Sequence, residues 1–273
     1  MNTIKKHVPT SVTVLVIFYL LLFFWWVAIS LRFLVDTKEN FYFGILLGLF
    51  AITCGITGLT KSKGWGLLSS YIGRFVVFLS CGCIAWGIGT LIIGYFNLAL
   101  NQIYPYPSLA DVAYIASWPL WFFGMFNLSK ATGARIQLKN LRGKMITVLI
   151  VVFGFIISYY LLFEVARGGV FEISEVNYLE LFFNFAYPVG DIVIVTSSLL
   201  LFGLSFNYLG GRFKVPILLI IFGFLLNYTA DIVFTYITTV GTYHVANWVD
   251  MLYVTVLLML GVGVNLFDKK LLK

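Results

Sequence analysis

The sequence predicts an all-α, polytopic integral membrane protein with eight transmembrane helices. Three observations lead there. Only 11% of the 273 residues are charged, against 61% hydrophobic, whereas a soluble domain carries about 25% charged residues. The apolar stretches reach the ~20 residues that cross a ~30 Å hydrocarbon core at 1.5 Å per residue, well beyond the ~10-residue alternating segments of an outer-membrane barrel. The basic residues sit in the short connections between these stretches, so the formal charge of +7 forms no single patch for nucleic acid. The same composition excludes an ordinary soluble enzyme, a disordered chain and a secreted disulfide scaffold.

The first span, Ser11–Val35, follows Lys5, Lys6 and His7, the flank of a signal peptide. It is too long for a signal core and no small-residue cleavage site follows, so a retained helix is expected. Phe41–Leu59 and Arg74–Leu98 form the second and third spans. Cys54, Cys81 and Cys83 lie inside them and read as packing. The Cys81-Gly82-Cys83 spacing puts its thiols on different helix faces, which suits neither a metal pair nor a redox motif. The fourth span, Leu109–Leu128, carries Pro119, and the fifth is Met145–Phe163. The sixth, Glu180–Leu204, has Pro188 about a turn before Asp191, where a proline frees a backbone carbonyl. Val215–Ile237 and Val245–Phe267 complete the set.

Orientation follows from the bases. With a cytoplasmic N-terminus, fifteen of the 18 Lys and Arg residues fall inside, among them Lys61, Lys63, Arg74, Lys130, Arg135, Lys139, Arg142 and Lys144. Arg32, Lys38 and Arg167 fall outside. This asymmetry predicts both termini in the cytoplasm, since an odd number of spans would place Lys269, Lys270 and Lys273 on the wrong side. Ser129–Lys144, with five bases, is expected to contact anionic lipid rather than serve as a docking site. A prokaryotic plasma membrane is the expected location.

Two stretches suggest an internal duplication. Gly73-Arg74-Phe75 opens the third span and Gly211-Arg212-Phe213 precedes the seventh. Thr90 is then set opposite Asp231 and Tyr95 opposite Tyr236. Asp111-Val112-Ala113-Tyr114 matches Asp250-Met251-Leu252-Tyr253, and both spans end in Asn-Leu. Duplication is preferred to chance alignment. It gives two parallel four-helix copies, about 11–128 and 145–267, within one transmembrane domain.

Most acids sit at outer ends; Asp111, Asp191, Asp231 and Asp250 need another explanation. A carboxylate at the centre of a span costs ~2.5–3.5 kcal/mol on insertion scales, and the usual escape is a partner or a water-filled cavity. Helical spacing groups Asp111 with Tyr114 and Trp118, Asp191 with Asn184 and Tyr187, Asp231 with Asn227, and Asp250 with Tyr253. An outward-facing polar pocket lined by spans 4, 6, 7 and 8 is inferred, holding a small ligand of unknown identity. No Lys or Arg lies among these groups, so bonding to Tyr, Asn and Ser, a proton, or a cationic ligand is the available counter-charge. Asp111 and Asp250 stand near helix starts, where a capping role competes with a ligand role. Asp191 and Asp231 have no such explanation.

Other chemistries fit less well. A retinal Schiff base needs a lysine inside a late span, and Lys269 and Lys270 lie beyond the last. Haem and zinc need several histidines, and the chain has only His7 and His244. No cofactor, metal or phosphate-binding motif is expected. Tyr187-Pro188-Val189-Gly190-Asp191 and Tyr228-Thr229-Ala230-Asp231 faintly suggest an intramembrane aspartyl enzyme, but the second lacks the Gly-x-Gly-Asp pattern.

Tyr106-Pro107-Ser108-Leu109-Ala110-Asp111, then Tyr114, then Trp118-Pro119-Leu120, resembles a signature of the multi-span membrane regions that precede diguanylate cyclase (GGDEF) domains, and sometimes histidine kinases, in prokaryotes. The resemblance extends to Tyr187–Asp191 and to Asp231 with Gly241-Thr242-Tyr243, and covers most of the chain. Thr90 stands where such regions often carry another Asp. The resemblance implies a sensory membrane module. Because the sequence ends at Lys273, its signal is expected to pass to a separate cytoplasmic partner. A small-solute or proton-coupled transporter is the alternative reading.

Overall fold

The computed structural model describes residues 8–103, 105–133, 140–165, 168–169, 178–205 and 213–269. Eight long helices carry the fold: α1 (Thr10–Leu31), α2 (Lys38–Ser62), α3 (Tyr71–Ala99), α4 (Leu109–Ala131), α5 (Leu141–Tyr159), α6 (Tyr178–Ser205), α7 (Lys214–Thr239) and α8 (Trp248–Asn265). There is no strand among the described residues. Each helix, α5 taken together with a wider-wound π-helical turn over Tyr160–Val165, is long and apolar enough to cross a membrane. The eight expected spans therefore correspond one to one with eight helices. Several helices outrun the apolar core used to find them: α2 begins at Lys38 rather than Phe41 and continues to Ser62. Polar flanking residues can keep the helical hydrogen-bond ladder going once water is available.

The helix neighbours form a closed circuit. α2 packs on α3, α3 on α4, α4 on α6, α6 on α7, α7 on α8, and α8 back on α2. α1 lies outside against α2 and α8, α5 lies outside against α6, and α3 also touches α8 across the middle. Lipid is as apolar as Leu, so helices in a membrane gain little from apolar burial alone and depend on close packing and interhelical hydrogen bonds. The α2–α3 contact shows this plainly. A Cβ placed on Gly87 would stand 2.7 Å from the Gly48 carbonyl oxygen, and one on Gly55 would stand 2.5 Å from that of Ser80. Only hydrogen at these positions lets the two backbones approach so closely.

Side chains tie the ends of the circuit. At one end, Asn40 Nδ2 donates to the carbonyls of Leu34 (3.0 Å) and Val245 (2.9 Å), and Trp26 Nε1 donates to Ala246 O at 3.1 Å. At the other, Trp65 Nε1 donates to Phe267 O (2.6 Å) and Lys61 pairs with Asp268 at 2.8 Å. Lys130 and Arg74 both lie over the Tyr71 ring at this second end, and Lys269 lies over Trp65. Bases assigned to one side of the membrane thus gather at one end of the bundle, and Arg32 pairs with Glu39 at the other. Lys5, Lys6, His7, Arg135, Lys139, Arg167, Gly211, Arg212, Lys270 and Lys273 lie outside the described residues.

Candidate functional site

Asp111 is held at the start of α4 by its own turn. Ser108 is the N-cap; Ala110 N donates to its hydroxyl oxygen, while Asp111 Oδ2 accepts from Ser108 N at 2.7 Å and Ser108 Oγ at 3.1 Å. This is a capping box, in which two otherwise unpaired amides are satisfied reciprocally. The other oxygen, Oδ1, accepts from Tyr187 OH at 2.6 Å, joining α4 to α6. Asp250 is built alike at the start of α8. Its Oδ2 accepts from Ala246 N (2.7 Å) and its Oδ1 from Tyr243 OH (3.0 Å). Both residues therefore have helix-start roles, and each spends its second oxygen on a tyrosine.

One turn into each helix stands the tyrosine of the shared Asp-x-x-Tyr pattern. Tyr114 OH donates to Thr90 Oγ1 on α3 at 3.2 Å; Tyr253 OH donates to Asp231 Oδ1 on α7 at 2.7 Å. Between them lies Trp86 of α3, its ring centroid 5.6 Å from that of Tyr114 and 5.6 Å from that of Tyr253. Trp86 also packs against all three apolar clusters of the molecule. It was not among the residues picked out from sequence, because an isolated tryptophan in an apolar helix carries no polar spacing to mark it.

Asp231 has a donor on each of its carboxyl oxygens. Besides Tyr253, Asn227 Nδ2 donates to its Oδ2 at 2.6 Å. Asp191 faces it from α6, with the two carboxyl groups within hydrogen-bonding reach. Asp191 is 5% exposed, and its Oδ1 has no donor among the described residues. Tyr228, one turn before Asp231, lies in electrostatic reach of Asp191 and donates its hydroxyl to Ser158 Oγ on α5 at 2.7 Å. Two carboxyl groups this near have only acceptor oxygens when both are ionised, so a proton or a cation between them would relieve their repulsion.

The remaining expected residues lie close by, pointing in different directions. Asn184 accepts from Tyr106 OH at 2.9 Å near the α4 and α6 ends. Trp118 turns away from Tyr114 and meets Tyr187 edge-on at 5.0 Å, over Gly190, where any Cβ would overlap its ring. The polar stripe expected on α4 thus divides: Asp111 and Tyr114 face the interior, while Trp118 and Phe122 line an apolar groove of about 760 Å³ between α4 and α6. Tyr253 is in electrostatic reach of Asp191, Asp231 and Asp250, and Tyr114 of Asp111 and Asp250. Tyrosine hydroxyls thus bond three of the four carboxyls, Tyr187 to Asp111, Tyr243 to Asp250 and Tyr253 to Asp231, and Trp86 stands between Tyr114 and Tyr253. Among the described residues no group of three or more His, Cys, Asp or Glu side chains is arranged to hold a metal ion.

Comparison with family models, curated proteins and solved structures finds no match to this chain.

Proposed function

We propose that the protein is a sensor-like multi-pass membrane protein that binds a small ligand at the carboxylate–tyrosine cluster, with Asp191 and Asp231 as its core. One observation carries the reading: a buried carboxyl oxygen of Asp191, without a donor among the described residues, set against a second carboxyl that tyrosine and asparagine hold in place. A buried polar atom left unpaired costs about 1–3 kcal/mol. Such a cost is common where a ligand completes the bonding. The resemblance to membrane regions that precede diguanylate cyclases supports a signalling role, with both termini cytoplasmic and a separate partner receiving the signal.

Two features support the parallel duplication. The circuit has two-fold character, since α2·α8 corresponds to α6·α4, α3·α4 to α7·α8, and α1 and α5 both lie outside. The Tyr114–Thr90 and Tyr253–Asp231 bonds also correspond. The second feature requires a correction to the alignment: the Gly-Arg-Phe pair and the Thr90/Asp231 pair are three residues out of register. An insertion in the third or seventh helix is needed to hold both.

The test is ligand response. Thermal unfolding of the detergent-solubilised chain is followed against a panel of small amines and other polar solutes. Ligands that stabilise the wild type are expected to lose their effect in Asp191→Asn and Asp231→Asn. If both variants keep every response and the wild-type stability, the site is not there. The facing carboxyls also favour a second reading, a proton-coupled carrier. It requires pH-dependent flux in proteoliposomes that Asp191→Asn abolishes, and a broad solute panel without flux rejects it. An intramembrane aspartyl enzyme would use the same pair, and labelling by a transition-state inhibitor tests it.

A further inference from the structure

The Asp191–Asp231 pair has a property that a general ligand pocket does not require. Asp231 already accepts from Tyr253 and Asn227, one donor on each oxygen. Asp191, whose carboxyl interacts with that of Asp231, is 5% exposed and has an oxygen with no donor among the described residues. Oxygen is the only donor-atom type the neighbouring carboxyls and the Tyr253 and Tyr228 hydroxyls offer to a cation. Hard cations take oxygen ligands, and compact ones suit a pair of carboxyls in contact. Two carboxylates carry two negative charges. A shared proton leaves one, and so does a single monovalent ion with both groups ionised.

From this geometry we infer that Asp191 and Asp231 form a binding site for one small monovalent cation, such as Na⁺ or Li⁺, which replaces the proton otherwise held between them. The exchange is one cation in and one proton out, so the charge inside the bundle does not change. This inference rests on the reading of the pair as a ligand site and gives it a chemical class.

The surroundings agree. α6 carries no Lys, Arg or His, α7 carries only Lys214 at its far start, and α8 carries none. α4 and α5 carry theirs at the far end, as Lys130, Arg142 and Lys144. The other titratable groups near the pair are Tyr228 on α7 and Tyr253 on α8, with Asp250 reached through Tyr253 and Asp111 through Tyr187 on α6. Among the described residues no fixed positive charge therefore competes for the two carboxyls, which leaves a bound ion or a proton as their counter-charge. One site per chain is expected. At the place in the first half that corresponds to Asp231, Thr90 offers a neutral hydroxyl, itself donating to Trp86 O.

The experiment is equilibrium binding of radioactive Na⁺ to the full chain in nanodiscs, in a buffer whose only other cation is N-methylglucamine, across pH 5.5–9. The expected result is saturable binding of one ion per chain, weakening as pH falls because protons compete. Asp191→Asn and Asp231→Asn are expected to abolish it, and Asp268→Asn, an acid at the far end of the bundle, to retain it. Thermal unfolding of the wild type guards against variants that fail to fold. Na⁺ binding to the native state must raise Tm with concentration. Absence of saturable binding and of any Tm response in the wild type overturns the inference, as does binding that survives both Asp substitutions. If an organic ligand stabilises the chain through Asp191 while Na⁺ does not, the cation inference alone falls. If Na⁺ binds as expected and no other solute gives a response, the cation site stands and the small-molecule sensor reading falls.

Discussion

At the scale of single residues, the cluster is held by tyrosine hydroxyls that cross between helices. Tyr187 is the joint between α4 and α6, donating at 2.6 Å to a carboxyl that α4 has already fixed by its capping box. Interhelical hydrogen bonds in membranes contribute about 0.6–1.7 kcal/mol. Tyr187→Phe keeps the ring against Trp118 and removes only the hydroxyl. It is expected to cost about 1–2 kcal/mol in unfolding titrations in mixed micelles. A loss of similar size is expected for Tyr253→Phe, with the further consequence that Asp231 is freed to move. Gly190 is a different kind of residue-scale constraint. Its missing Cβ is filled by the Trp118 ring. Gly190→Ala forces that ring aside, and overpacking of this kind costs about 1–3 kcal/mol. Because the cause is one ring, Gly190→Ala combined with Trp118→Leu is expected to be less destabilised than the sum of the two single changes. Strict additivity in a double-mutant cycle would show that the ring is not the cause.

At the scale of helices, the spans were readable from composition because a bilayer demands one thing of each: about 20 residues with few charges. α4 begins at Leu109 in both readings, since Ser108 caps it and Pro107 precedes it. α8 begins at Trp248, three residues later than the apolar run, because Ala246 has a positive φ of 62° and Asn247 is the N-cap. What could not be read was which helix each polar stripe would face. Asp191 and Tyr187 share one side of α6 by spacing, yet Tyr187 bonds α4 and Asp191 meets α7. A single sequence gives the periodicity of a helix, and the partner across the gap is set by how the circuit closes. The same holds for the α2–α3 glycines, which nothing in the sequence sets apart from other small residues of a membrane span. Their contact predicts a graded series. Gly55→Ala meets a backbone carbonyl at 2.5 Å and requires the helices to separate, whereas at Gly64 the nearest atom stands 3.5 Å away. Gly55→Ala is expected to lower stability by about 1–3 kcal/mol, while Gly64→Ala stays within about 0.5 kcal/mol. Equal effects at both sites in melting experiments would argue against close α2–α3 packing.

At the scale of the whole molecule, the two ends of the bundle differ in chemistry, and this gives its placement in the membrane a direct test. One end gathers Lys61, Lys63, Arg74, Lys130 and Lys269 around Tyr71, Trp65 and Asp268, so that bases distant in sequence share a few aromatic and acidic neighbours. The other carries the α4 and α8 starts with Asp111 and Asp250, the Asn40 tie and the Arg32–Glu39 pair. Basic ends are retained on the cytoplasmic side, so the aspartate-bearing end is predicted to face outward. A Cys54, Cys81 and Cys83-free background with single reporters decides it. Lys63→Cys and Lys144→Cys are expected to react with a membrane-impermeant maleimide only after the cells are opened. Thr37→Cys and Gly168→Cys are expected to react in intact cells. The reverse pattern would put the carboxylate cluster nearer the cytoplasm, and a ligand or ion would then reach Asp191 from inside. Mixed labelling within either pair would break the correspondence between helix number and side on which the eight-span topology stands.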